Sequence, residues 1–231
     1  MNKFKGAIFD LDGTVLNSMG LWRKVDELFF TSRNMPIPEG YIQAISPLGT
    51  VGAAHYTKNT YNIKESIEEI IDEWQLTAKR EYAQNVTLKP HAKEYILHLK
   101  KQGLSLAVAT ASDPEMFGEC LKKYGLDDVF DFFITVNEAG KGKDYPDIYL
   151  KAAERMGIEP HECMVFEDIL TAIKSAKSAD FYCVAMYDES SKNDAEKIKE
   201  ISDRCFTSHF LPTTAKTPAN ISVMLKKICI S

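Results

Sequence analysis

Histidine and cysteine are scarce and never gather in this sequence. The five histidines are scattered and no His/Cys spacing suggests a zinc site. The five cysteines, Cys120, Cys163, Cys183, Cys205 and Cys229, are odd in number, widely spaced and without a C-x-x-C pair. That pattern argues against a disulfide framework and fits reduced, mostly structural thiols of an intracellular protein. No apolar run approaches the roughly 18 residues of a membrane span, and an apolar strand follows Met1 almost at once, leaving no room for a signal peptide. A cytoplasmic protein is expected. Basic charge is short as well: 28 Lys and Arg stand against 33 Asp and Glu, for a net charge of -5. There is no global basic field for nucleic acid or a membrane surface, so an anionic substrate must be met by local cations, backbone amides or a metal. Repeats and low-complexity tracts are absent too.

What is present is an ordinary globular composition, 45% hydrophobic over 231 residues, enough for one large or two modest domains. The informative stretch is F-K-G-A-I-F-D-L-D-G-T, Phe4 to Thr14. Ala7, Ile8 and Phe9 predict a buried strand of a parallel sheet, which places Asp10 and Asp12 at its carboxyl end. In open α/β sheets ligands bind just beyond that end. Taken alone, D-G is equally an ordinary turn signal.

From Val15 to about Val86 the pattern is helical and strand-poor. Leu21, Val25, Leu28 and Phe29, then Ile63, Ile67, Ile70, Ile71 and Trp74, recur at helical spacing, and Pro36, Pro38 and Pro47 separate the segments. A bundle of about four helices is expected, inserted after the first strand. The α/β alternation then resumes: a helix from Pro90 to Gly103, a strand from Leu104 to Ala109, a helix opened by Asp113 and Pro114, and a strand from Phe132 to Val136. A helix from Asp147 to Met156, a strand from Met164 to Phe166, a helix from Leu170 to Ala179 and a last strand from Phe181 to Met186 follow. Asp188 to Asp203 predicts a surface helix and Ile221 to Ile228 a terminal one. The fold class is α/β: a three-layer, Rossmann-like, mostly parallel sheet with an inserted helical-bundle cap. The expected domains are 1–16 with 87–231 for the core and 17–86 for the helical insertion.

Four strand ends carry suggestive groups: Asp10 and Asp12; Thr110, Ala111 and Ser112; Lys143; and Glu167 with Asp168. Each has a plain structural explanation. Thr110 to Asp113 can cap the helix at Pro114, Lys143 can be a solvated cation beside Lys141 and Lys151, and Glu167 and Asp168 can cap the helix near Leu170. Together they make a coherent set. Carboxylates are hard ligands suited to Mg²⁺, which takes one or two of them plus substrate phosphate, and Asp10 and Asp168 can supply these. A threonine hydroxyl with backbone amides, plus one lysine, can hold the remaining phosphoryl oxygens.

The chain resembles the haloacid dehalogenase superfamily phosphohydrolases with a helical cap after the first strand, similar to β-phosphoglucomutase and phosphoglycolate phosphatase. D-L-D-G-T at Asp10 to Thr14, A-T-A-S at Ala109 to Ser112, K-D-Y-P-D-I-Y at Lys143 to Tyr149 and F-E-D at Phe166 to Asp168 match the four family motifs in order. The resemblance implies Asp10 as a nucleophile that forms an aspartyl-phosphate and binds Mg²⁺. It implies Asp12 as general acid/base, with its backbone carbonyl on the metal. Thr110, Ala111 and Lys143 would hold the phosphoryl group, Asp168 would bind the metal, and Glu167 would help directly or through water. The family lysine lies four residues before the P-D-I-[FY] aspartate, here Asp147, which selects Lys143 over Lys141.

There are departures from the pattern. Ile169 and Ala172 stand where the family has serine and glycine, Asp180 replaces the glycine before the last strand, and His91 follows Pro90 where the family shows P-G. A β-phosphoglucomutase holds a second phosphate with a cap arginine and a lysine directly after A-S-A-S. Here Ile45 to Thr50 has no arginine and Asp113 is an anion, so hydrolysis is favoured over the mutase reaction. Phosphonatases lack the acid present here as Asp12, and dehalogenases replace D-x-D-G-T altogether. The expected function is Mg²⁺-dependent hydrolysis of a small phosphorylated metabolite, in a monomer or weak dimer that binds neither nucleic acid nor membrane. The alternatives are a β-phosphoglucomutase-like mutase and a non-catalytic binder. Leaving-group contacts are sought in the cap at Trp22, expected more as core, His55 on a glycine-rich loop, Tyr56 and Lys58.

Overall fold

The computed structural model describes residues 4–45, 48–207 and 209–210. In chain order the first elements are β1 (Gly6–Phe9), β2 (Leu16–Asn17), α1 (Leu21–Thr31), α2 (Tyr41–Ile45), α3 (Gly49–Tyr61) and α4 (Ile67–Asn85). Then come β3 (Thr87–Leu88), α5 (Ala92–Lys101), β4 (Ser105–Thr110), α6 (Pro114–Tyr124), β5 (Phe132–Thr135), α7 (Val136–Ala139) and α8 (Asp147–Met156). The described chain closes with β6 (Cys163–Glu167), α9 (Leu170–Ser178), β7 (Tyr182–Met186), α10 (Ala195–Ile201) and β8 (Arg204–Phe206). The expected terminal helix at Ile221 to Ile228, and Cys229, lie outside the described residues. Among the described residues no helix is long and apolar enough to cross a membrane.

Contacts divide the chain into two compact units, Met19–Val86 and a second made of Met1–Ser18 with Thr87–Ser231. The second contains a six-stranded sheet in the order β5-β4-β1-β6-β7-β8, with every neighbouring pair parallel. Period-two alternation sorts the side chains onto two buried faces. Ile8, Val165 and Cys183 share one cluster with Tyr149 and Ala152 of α8 and Ile173 of α9. Phe9 and Phe166 face the other way and stack at 4.3 Å, with Tyr95 of α5 edge-on to Phe166 at 5.7 Å. This makes a three-layer α/β unit. Gly6 permits the close approach of layers, because a Cβ there would meet Cys163 Sγ at 3.0 Å and Ile158 Cδ1 at 3.1 Å.

Two features lay outside the expected elements. The three-residue β8 joins the edge of the sheet beside β7, and β2 pairs with β3 antiparallel, Leu16 against Leu88 and Asn17 against Thr87. The helix expected from Pro90 starts at Ala92, because His91 adopts the left-handed conformation, φ 65°, in front of it. Asp180 takes the same region, φ 66°, as its short polar side chain allows.

The Met19–Val86 unit is a small helical bundle with an aromatic interior. Phe30 meets Tyr41 and Tyr61 edge-on, and Phe29 meets Trp74 at 5.6 Å. Arg33 lies 3.7 Å over the Phe29 ring and pairs with Glu65 and Glu73. Ser66 and Glu69 form a capping box that starts α4.

Candidate active site

Every strand-end candidate sits at the carboxyl edge of the sheet. Asp10 follows β1, and its N–H donates to Phe166 O at 3.0 Å, which locks it to β6. The chain then turns back on itself: Gly13 has φ 84°, and the N–H groups of Thr14, Val15 and Leu16 all donate to Leu11 O. Only a residue at ease with positive φ suits Gly13, so the tight loop that presents Asp10, Asp12 and Thr14 is written in D-G-T. Thr110 ends β4, Lys143 lies between α7 and α8, Glu167 ends β6 and Asp168 follows it.

These side chains form one connected set. Lys143 Nζ donates to Asp10 Oδ1 and, at 2.5 Å, to Glu167 Oε1. Glu167 Oε1 also accepts from the Tyr149 hydroxyl at 2.8 Å, and Glu167 Oε2 accepts from Asp168 N–H at 3.1 Å. Thr14 Oγ1 donates to Asp168 Oδ1 at 3.1 Å. Asp12 is held on both oxygens, by the hydroxyls of Ser18 and Ser112. Thr110 joins through Ser112, whose N–H donates to Thr110 Oγ1 at 3.0 Å, and Ala111 is exposed at the turn between them.

Burial and crowding make the set electrostatically unusual. Burial pushes the Asp10 carboxyl up to about 7, with Glu167 and Asp12 adding to the rise and Lys143 opposing it. Burial pushes Asp168 further, to about 9, helped by Asp10 and Glu167. Lys143 is raised as well: burial disfavours its charge, but Asp10 and Glu167 outweigh that and hold it firmly protonated. Asp10, Glu167 and Asp168 each offer an oxygen within 4.8 Å of the other two. Asp10 Oδ2 and Asp168 Oδ2 are buried without a hydrogen-bond partner. Buried polar atoms are almost always satisfied, so two orphaned carboxylate oxygens on residues of one acidic cluster fit a cation of the hard, oxygen-binding kind.

The plain explanations of single residues fare differently. Asp113 does cap α6, accepting from Glu115 N–H at 2.9 Å. Glu167 and Asp168 do not cap α9, whose N-cap is Ile169 with no side-chain bond. Lys141 pairs with Asp147 at 3.0 Å and leaves the buried position to Lys143. In the helical unit Trp22 is 54% exposed rather than core, because Leu21, Val25, Phe29 and Phe30 occupy the buried face of α1. His55 lies within α3, not on a loop, since Gly49 and Gly52 are absorbed into that helix. Lys58 donates to the carbonyls of Ile63, Lys64 and Glu65, which ties down the turn before α4. Thr14, Ser112 and Tyr149, which lie inside the quoted motifs, and Ser18, which lies outside them, join the site without a role that the motifs assign.

An α/β protein with lysine-tethered and unpaired carboxylates at its sheet edge belongs among enzymes that handle anions with a metal. A model of the haloacid dehalogenase-like hydrolase family matches residues 4–180, and the chain belongs to that family. It is 26% identical over 175 residues to a phosphorylated carbohydrates phosphatase of Thermotoga maritima, covering 76% of this chain and 81% of that one. Hexitol phosphatase B of Escherichia coli is 25% identical over 194 residues, covering 81% and 86%. A solved Thermotoga maritima structure, provisionally assigned as a β-phosphoglucomutase, superposes with a TM-score of 0.81 at 23% identity, covering 97% of this chain and all of that one, a likeness of fold.

Proposed function

We propose that this hydrolase is a phosphatase that cleaves a small phosphate monoester through an aspartyl-phosphate on Asp10. The observation that carries this reading is the contrast within one carboxyl group: Asp10 Oδ1 is held by Lys143, while its buried Oδ2 is unpaired, as is Oδ2 of Asp168 in the same acidic cluster. Asp10 and Asp168 would hold a Mg²⁺ ion with the Asp12 backbone carbonyl, and Glu167 would help through water. When bound, the ion would neutralise the crowded carboxylates and the phosphoryl charge.

The chain's own groups perform the steps. An Asp10 oxygen attacks phosphorus, and the bond to the leaving oxygen breaks with its electron pair. Asp12, in its acid form, gives that oxygen a proton. Asp12, now a carboxylate, takes a proton from water as the water attacks the phosphoryl group, which frees Asp10 and releases phosphate. Lys143, the Thr110 hydroxyl and the Ala111 backbone hold the phosphoryl oxygens. We propose residues 17–86 as a helical cap domain and 1–16 with 87–231 as the core, with Trp22, His55 and Tyr56 as the cap residues to test for selection of the leaving group.

A phosphorylated sugar or polyol is the substrate class that the Thermotoga and Escherichia relatives support. The mutase alternative has less support, because Asp113 stands where a second phosphate needs a cation and is engaged as a helix cap. We infer a cytoplasmic monomer or weak dimer. The test is phosphate release with Mg²⁺ across phosphorylated sugars, polyols and nucleotides. Release that vanishes in Asp10→Asn is expected. Sugar-phosphate interconversion faster than release would establish the mutase, and no Asp10-dependent turnover of any kind would establish a binder.

A further inference from the structure

We propose that Tyr149 is a positioning residue whose hydroxyl fixes Glu167 against Lys143, so that Glu167 serves as an anchor for that lysine rather than as a metal ligand. This rests on the phosphatase reading for its effect on turnover, but not for its effect on metal binding.

Glu167 is fully buried at the end of β6, in the same cluster as Asp10 and Asp168. Its oxygens are spent differently from theirs. Oε1 takes two donors, Lys143 Nζ at 2.5 Å and the Tyr149 hydroxyl at 2.8 Å, and Oε2 takes Asp168 N–H at 3.1 Å. Each carboxylate oxygen has two lone-pair sites, so Oε1 is filled. Asp10 Oδ2 and Asp168 Oδ2, by contrast, have no partner at all. Of three carboxylates close enough to share one ion, two have a wholly unspent oxygen and one is bound into the protein.

The tyrosine is built to do this. Its ring is fully buried in the cluster of Ile8, Val165 and Cys183 and packs against Phe181 at 6.2 Å. A phenylalanine would fill that space equally well, so the hydroxyl adds nothing to packing beyond the bond it makes. That bond runs to Glu167, which in turn fixes Lys143 against Asp10. The chain Tyr149, Glu167, Lys143, Asp10 is continuous through buried and, at Lys143, partly buried side chains, and charge-assisted bonds of this kind set geometry more tightly than neutral ones. If Glu167 were released from it, Lys143 would lose one of its two anchors.

The test compares Tyr149→Phe, Glu167→Gln and Asp168→Asn with the unaltered protein. Mn²⁺ binding is read directly by electron paramagnetic resonance, inorganic phosphate binding by calorimetry, and kcat and KM separately. Tyr149→Phe is expected to keep Mn²⁺ affinity within about threefold, lower kcat about tenfold with a smaller change in KM, and weaken phosphate binding. Glu167→Gln is expected to leave Mn²⁺ affinity within about threefold, while Asp168→Asn weakens it roughly 100-fold. The proposal is overturned if Glu167→Gln weakens Mn²⁺ binding as much as Asp168→Asn, or if Tyr149→Phe folds and changes neither kcat nor phosphate binding. Should Tyr149→Phe fail to fold, the Glu167→Gln comparison decides. Should no substrate turn over, the Mn²⁺ and phosphate arms still decide, and the phosphatase reading fails separately.

Discussion

Two lysines of the α/β unit, Lys89 buried and Lys143 partly buried, are used in opposite ways. Lys89, just after β3, donates to Asp188 Oδ2 at 2.5 Å and to Tyr187 O at 3.3 Å. Asp188 Oδ1 is satisfied by Ser190, through its N–H at 2.9 Å and its hydroxyl at 2.7 Å. Burial works against the Asp188 charge, but Lys89 and Ser190 outweigh it and hold the carboxyl below its ordinary range. Lys143 faces Asp10 and Glu167 with Asp168 close behind, and there burial wins, so that Asp10 rises to about 7 and Asp168 to about 9. The difference is one of stoichiometry. One cation against one carboxylate closes on itself and anchors the chain where β2 and β3 meet. One cation among three carboxylates leaves acid in excess, which suits a metal ion.

The largest expected effect breaks the crowded site at its centre. Asp10→Asn should lower kcat by at least about 10⁴-fold, measured as phosphate release, while the fold persists, since an amide oxygen can still accept from Lys143. Next, Asp168→Asn should raise the Mg²⁺ concentration needed for half-maximal activity roughly 100-fold. The closed pair is broken by Lys89→Met, which leaves Asp188 buried without its cation and should cost about 3–5 kcal/mol in urea unfolding. Adding Asp188→Leu should recover most of that loss. If the single and double variants unfold alike, the pair is not a closed unit.

Acidity sharpens the same contrast. A carboxyl raised in the folded state stabilises below its unfolded value and loses that stabilisation as pH rises toward its folded value. The metal-free protein should therefore lose thermal stability, relative to Asp168→Asn, as pH rises from about 4 to 9. Mg²⁺ should reverse that trend. Asp188, lowered instead, contributes stability above its unfolded value that is lost as pH falls. The smallest effect is at Asp113: Asp113→Ala should cost about 1 kcal/mol of stability through the lost cap and leave the ratio of hydrolysis to interconversion unchanged.

Much of this contrast was visible in the residues before any coordinates. Ala7 to Phe9, Leu104 to Ala109 and Met164 to Phe166 are apolar runs long enough to predict buried strands, and the acids beyond them follow from sheet topology. β2 and β3 were not legible, because two residues each carry no periodicity and their pairing joins distant parts of the chain. β8 was too short to stand out within a charged stretch. Tyr149 had no role beyond closing the third motif, since a ring at that position says nothing of where its hydroxyl ends. Trp22 is exposed because in a short amphipathic helix one residue of phase moves a side chain from core to surface, whereas His55 lies in a helix because Gly49 and Gly52 do not break it. Asp188 looked like surface charge, because its partner lies far away in sequence at Lys89.

The central claim is that the excess acid at the sheet edge serves a covalent step on Asp10. The direct measurement is the mass of the protein quenched in acid during the first turnover of a phosphorylated sugar or polyol with Mg²⁺. One added phosphoryl group on the peptide carrying Asp10, absent from Asp10→Asn, is the predicted result. Turnover with no phosphoryl-protein at any quench time, or with the group on another residue, would contradict it.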